Sequence, residues 1–174
     1  SEVTVVSAHL TAADLGVAAV DRLVAESGLN LEELDACIFV TQTPDHLQPP
    51  NAAVLHGRLG LAKGVACWDV NLGCSGWVYG LMQAGSLIQS GAFRKVLLLA
   101  GDTISRQVDP TDRATAPIFG DATSATILEY DPGRVFSAVV GTDGTGIEAI
   151  QVPAGGFRRP IAEAGRIADA EGNL

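Results

Sequence analysis

The stretch Asp69-Val70-Asn71-Leu72-Gly73-Cys74-Ser75-Gly76-Trp77 decides how the chain is read. An apolar run passes into a turn of small residues, and a cysteine then heads a segment rich in glycine and apolar side chains. The expected order is strand, tight turn and helix, with Cys74 opening a helix over residues 74–89. At a helix N-terminus the unpaired N–H groups and the dipole favour a thiolate. They can lower an ordinary cysteine pKa of ~8.5 by a unit or more. They can also hold a developing oxyanion next to the sulfur. The same residues read equally well as a small buried apolar side chain at a strand–helix junction. Local sequence leaves both readings open.

Outward from that stretch, apolar runs alternate with helical patterns. Thr11 and Asp14 give a capping start to a helix with Leu15, Ala18, Ala19, Leu23 and Val24 on one face, ended by Ser27-Gly28. Leu31-Glu32-Glu33-Leu34 reads as a linking turn. Residues 36–40 are a continuous apolar run, as expected of a strand buried on both faces, 65–70 reads as the next strand, and 96–101 as a third, buried one. Cys37 and Cys67 fall within two of them and are expected to be core thiols. The proline-containing loop 41–50 leaves the C-terminal end of the first run, the edge where ligands gather in open α/β sheets. Asn51 to Leu59 reads as a short helix stopped by Gly60. The helix after Cys74 carries Gly76, Gly80, Ala84 and Gly85, a spacing that lets another backbone approach. So apolar a helix is expected to be buried all round.

Three strands separated by helices imply right-handed crossovers and a parallel sheet. A polar loop follows over 104–117, then β-like alternation over 122–130 and an Asp131-Pro132-Gly133 turn. Further strands are expected over 135–140 and 147–152. Residues 141–146 lack a P-loop lysine and are read as a turn.

Composition narrows the function classes. A chain of 174 residues suffices for one domain with a real core. A net charge of −9 argues against a nucleic-acid surface. No apolar run approaches the ~18–20 residues of a membrane helix, and the first residues do not read as a secretory leader. Three cysteines without CxxC spacing suit a reducing cytosol, and His9, His46 and His56 are too scattered for a zinc pattern. No metal site is expected.

The motifs Asp69-Val70…Cys74-Ser75-Gly76, Asp109-Pro110-Thr111-Asp112-Arg113 and Phe119-Gly120-Asp121 follow one another in order, with Gly91-Ala92 ahead of the third strand. In these the chain resembles the thiolase-fold condensing enzymes, closest to β-ketoacyl-acyl carrier protein synthase III. The likeness runs over about residues 11–152. It implies one half of a thiolase-like α/β fold, with a mixed, mainly parallel sheet and a buried nucleophile helix packed against it. Residues 1–152 would form that N-terminal half-domain, and 153–174 an extension towards a second half.

The resemblance further implies that Cys74 takes an acyl group from acyl-CoA as a thioester. A carbanion from malonyl-acyl carrier protein then attacks it, in fatty acid biosynthesis. Arg113 would lie by the coenzyme A nucleotide, where a guanidinium suits a phosphate. Its other reading is a surface arginine pairing with Asp112 or Asp109. Gln48, in the Gln48-Pro49-Pro50 loop, would reach across a homodimer to the partner's acyl pocket. Phe119 is a substrate-binding candidate, although Phe119-Gly120-Asp121 also reads as a structural turn supporting the cysteine helix. No cofactor is implied beyond acyl-CoA as substrate, and the location is cytoplasmic. The family's catalytic histidine and asparagine belong to its second half, and none of the three histidines here matches that histidine. The parent is therefore expected to condense, and this chain alone to be inactive. Open alternatives are a condensing enzyme of a secondary or surface-polysaccharide pathway, an acyltransferase that never decarboxylates, and a non-catalytic dimerisation half.

Overall fold

A computed structural model describes residues 3–152 and 154–160. The chain divides into two compact units, one ending at Val139 and the other beginning at Val140. Apart from residues 154–160, the extension read over 153–174 lies outside the described residues.

The first unit is organised by a four-stranded sheet in the order β2-β1-β3-β4. Strands β1 (Ala36–Val40), β2 (Ala66–Val70) and β3 (Lys95–Asp102) are parallel, and β4 (Ala122–Glu129) runs antiparallel to β3. Central β1 is buried at every position, as its unbroken apolar run requires. Side chains alternate between the two faces of a strand. One face therefore gathers Cys37, Phe39, Leu97 and Leu99 with Val20 and Leu55. The other gathers Ile38, Val40, Val96 and Leu98 with Ala84 and Ile88.

Helix α1 (Ala12–Ser27) starts on the expected capping box: the Thr11 hydroxyl accepts from the Asp14 N–H, and the Asp14 carboxylate accepts from the Thr11 N–H at 2.7 Å. Such a cap contributes about 1 kcal/mol. Gly28, at φ 70°, ends the helix in the left-handed region. Helix α2 (Asn51–Arg58) follows the proline loop.

Helix α3 (Gly76–Gln89) lies on the second face. A Cβ on Gly76 would come within 2.5 Å of Val40 Cγ1, and one on Gly80 within 2.7 Å of Leu98 Cδ1. Only glycine lets the helix sit this close to the sheet. The burial expected all round α3 is found on one face only, formed by Gly76, Gly80, Ala84, Gly85 and Ile88. Trp77 and Val78 remain 42% and 49% exposed, because nothing among the described residues covers the opposite stripe.

Three further expectations are corrected. Residues 135–140 and 147–152 form no strand; Val135 is 90% exposed and Ile150 89%. Strand preference measures the fit of a side chain to a packed, hydrogen-bonded surface; here Phe136 packs on Gly85 of α3, but Val135, Val139 and Ile150 stay exposed. Cys37 is fully buried, but Cys67, on the edge strand β2, is only partly buried against the same core.

Candidate active site

The C-terminal ends of the three parallel strands bring together Thr41, Val70 and Asp102, with the turn that carries Cys74 directly after β2. In that turn Leu72 N–H donates to Val70 O at 3.1 Å and Gly76 N–H to Gly73 O at 2.7 Å. Cys74 is exposed and stands two residues before α3, not within its first turn. Gly76, the first residue of the helix, lies directly against Val40. Ser75 occupies the cap position without a side-chain capping bond, so no side chain competes for the first N–H groups of the helix.

Two carboxylates shape the surrounding loops. Asp69, on β2, accepts from Asn51 N–H at 2.6 Å and Ala52 N–H at 2.8 Å, and so caps α2 from another strand. Burial raises the pKa of this carboxyl and nearby Asp45 adds to the rise, against the lowering by the two N–H bonds. Asn51 is fully buried and joins Asp45 through Asp45 N–H to Oδ1 (2.8 Å) and Nδ2 to Asp45 Oδ1 (3.2 Å). Asp45 in turn accepts from the Thr11 hydroxyl at 2.9 Å. Asp102, on β3, accepts on one oxygen from Thr41 Oγ1, Gln42 N–H, Thr43 N–H and Thr43 Oγ1, at 2.9, 2.7, 3.0 and 2.9 Å. Thr43 Oγ1 itself accepts from Thr103 N–H at 2.9 Å.

The other candidates lie in loops. Gln48 is exposed between β1 and α2. Arg113 is exposed, and its acidic neighbours are engaged elsewhere: Asp109 with Thr111, and Asp112 with Ala114 and Thr115. These bonds, led in each case by the threonine hydroxyl, lower both carboxyls. The pairing of Arg113 with Asp109 or Asp112 is therefore not what the structure holds. Phe119 is half-buried. Asp121 is 3% exposed and accepts from Ser105 Oγ at 2.7 Å, Ser105 N–H at 3.0 Å and Val6 N–H at 3.0 Å. Burial pushes its pKa up, but these donors and Arg106 outweigh it, and the net shift is downward. Asp121 thus ties the segment before α1 to Ser105, just after β3. The hydrogen bonds and ion pairs of the described residues join none of Gln48, Arg113 and Phe119 to Cys74.

Residues 68–144 match the family of 3-oxoacyl-[acyl-carrier-protein] synthase III. A β-ketoacyl-[acyl-carrier-protein] synthase III of Streptomyces coelicolor is 41% identical over 155 residues, 87% of this chain and 46% of that protein. The chain matches about half of a synthase III. A crystal structure of 3-oxoacyl-(acyl-carrier protein) synthase from Burkholderia xenovorans superposes with a TM-score of 0.82 at 43% identity, covering 88% of this chain and 44% of the other. A 3-oxoacyl-(acyl-carrier-protein) synthase III structure gives 0.87 at 40% identity, covering 97% and 52%. The architecture is accordingly one half of a thiolase-like fold, and the chain spans about half the length of the curated relatives it matches. The Cys74 turn, α3 and the Asp109–Asp121 stretch all fall inside the matched residues. Asp102, Thr41 and Thr43 escaped sequence reading, and Asp69 was read as part of a motif without its capping role; the only trace was an acidic or hydroxyl residue at or near the end of each apolar run.

Proposed function

We propose that Cys74 is the nucleophile of a synthase III-type condensing enzyme. Its thiolate attacks the carbonyl of acyl-CoA, the C–S bond to coenzyme A breaks, and coenzyme A leaves as a thiol after protonation. Cys74 holds the acyl group as a thioester, which stays reactive because a thiolate leaves well. Malonyl-acyl carrier protein then loses carbon dioxide, and its carbanion attacks that thioester in the complete enzyme, serving fatty acid biosynthesis. Condensation needs the family's histidine and asparagine, which His9, His46 and His56 do not supply by position. This chain is assigned the acylation half-reaction at most.

The observation carrying the proposal is an exposed cysteine after a parallel strand, one residue ahead of a helix cap with no competing side chain. Arg113, exposed beside carboxylates already engaged, is assigned to a coenzyme A phosphate. Gln48 and Phe119 are assigned to the acyl end of the site, Gln48 across a homodimer. The half-domain is taken to end near Val152, and the setting to be cytoplasmic. No helix among the described residues is long and apolar enough to cross a membrane.

Transfer of a radiolabelled acyl group from acyl-CoA to the protein tests the proposal. Label is expected on Cys74 and absent from Cys74→Ala. Arg113→Ala should slow transfer at subsaturating acyl-CoA by about tenfold to a hundredfold, the loss of one charge-assisted contact worth roughly 1.5–3 kcal/mol. Added salt should narrow that gap, since exposed charges are screened over ~8–10 Å. Label on Cys67 with Cys74 empty would overturn the assignment.

A further inference from the structure

The Gln42 side chain rests on the turn that presents Cys74. A Cβ built on Gly73 would lie 2.9 Å from Gln42 Oε1 and 3.0 Å from its Cδ and Nε2. The carboxamide therefore fills the space over the residue that directly precedes the cysteine. Its backbone is not free to drift. Gln42 N–H donates to Asp102 at 2.7 Å, and Thr41 and Thr43 on either side donate to the same oxygen. Thr43 Oγ1 passes the connection on to Thr103 N–H, so the end of β3 and the turn after β1 are bonded in both directions.

We propose that Asp102 and Gln42 are positioning residues for the Cys74 thiol: Asp102 fixes the turn 41–43, and the Gln42 carboxamide held by that turn packs on Gly73 and sets the polar surroundings of the sulfur. The inference deepens the reading of Cys74 as nucleophile and rests on it. An amide at this point brings both N–H donors and an acceptor oxygen to the turn without adding a charge of its own. Gly73 is what admits it, since any larger residue would occupy the same space.

The arrangement makes an unusual forecast for Gly73→Ala. The new methyl meets the far end of a flexible side chain, so the amide is expelled at little cost to folding. Gly73→Ala should then behave as Gln42→Ala does.

The test is the rate of Cys74 carbamidomethylation at pH 7 in the 174-residue chain, followed by mass spectrometry with Cys67 as internal reference. Gln42→Ala is expected to slow Cys74 by roughly threefold to tenfold, the scale of one lost polar contact to a charged group. Gly73→Ala should give the same loss, and the double variant no more than either single one. Gln42→Glu, of the same shape but charged, should be slower than Gln42→Ala. Asp102→Ala should reproduce the Gln42→Ala loss; because it also cuts a buried network, the Gln42 and Gly73 variants carry the decision if it fails to fold. An unchanged rate in Gln42→Ala, additive losses in the double variant, or Gln42→Glu equal to wild type would each overturn the proposal. Alkylation does not require acyl transfer, so an absent acyl-enzyme would sink the nucleophile reading and leave this result interpretable separately.

Discussion

Asp35 and Asp69 sit at opposite ends of the same sheet and make the same kind of bond. Asp35, before β1, accepts from Arg94 N–H at 2.7 Å and Lys95 N–H at 2.9 Å. Asp69, near the end of β2, accepts from Asn51 N–H and Ala52 N–H at 2.6 and 2.8 Å. Yet the two carboxyls shift in opposite directions. Asp35 is lowered, chiefly by its two backbone donors, while Asp69 is raised, chiefly by burial and further by Asp45. Two equal pairs of donors thus give opposite outcomes once water is removed from one of them. The N-terminal end of the sheet is a wet, ion-paired surface. The C-terminal end is drier, bonded through neutral N–H and hydroxyl groups, and it is the end that presents Cys74.

The largest effect is expected where α3 meets that drier end. Gly80→Val would push a branched side chain into Leu98 Cδ1 and Val40 Cγ2, which stand 2.7 and 2.9 Å from the first added carbon. Replacing a helical glycine gains at most ~1 kcal/mol in propensity, whereas overpacking a filled core costs about 1–3 kcal/mol or more. The steric term wins. A fall in urea midpoint is expected, together with altered labelling of Cys74 as the helix lifts. A midpoint at or above wild type would mean that the helix is not seated on the sheet as described.

Next in size is the removal of Asp69. Asp69→Ala takes away the acceptor for the first two N–H groups of α2, an N-cap loss of about 0.5–2 kcal/mol. The pH dependence sharpens the contrast with Asp35. Because the folded pKa of Asp69 is raised, its folded state binds the proton more tightly than the unfolded one, for which the pKa is ~3.9. Its contribution therefore falls as pH rises above ~3.9 through the folded value. Asp35 is lowered, so its contribution is present above ~3.9 and is lost as pH falls through its folded value. Urea midpoints of wild type against Asp69→Asn and Asp35→Asn across acidic pH should differ with opposite slopes. Parallel slopes would erase the distinction between the two ends.

How much of this was legible in the sequence depends on whether a residue's role was local. The α1 capping box needs only Thr11 and Asp14, close neighbours in the chain, and it stands as read, as does the stop at Gly28. The apolar runs of β1 and β3 announced burial on both faces because nothing polar interrupts them. Val135 and Val139 carried a similar signal without forming a strand, since an apolar pair gives no information on whether a sheet edge waits for it. The position of Cys74 was legible to within two residues. The Asp102 cluster was not legible, because its donors are 59 to 61 residues away and only the parallel register brings them together.

The smallest effect is expected at the wet end. Lys95 Nζ lies 2.5 Å from Glu33 and 2.6 Å from Glu129, a geometry that looks strong on paper. Both glutamates are more than half exposed, at 56% and 54% of their side chains, so water and salt screen the pair. The two carboxylates raise the pKa of Lys95, Glu129 first and Glu33 second. That contribution is present throughout the neutral range and is lost only as pH rises through the folded lysine value. Lys95→Met keeps the aliphatic stem, whose side chain is 19% exposed, and removes only the charge. Its urea midpoint at pH 7 should stay close to wild type, and moderate salt should close whatever gap exists. A drop as large as that of Asp69→Ala, unaffected by salt, would mean that this end is desolvated too. The opposite shifts of Asp35 and Asp69 would then need a cause other than water.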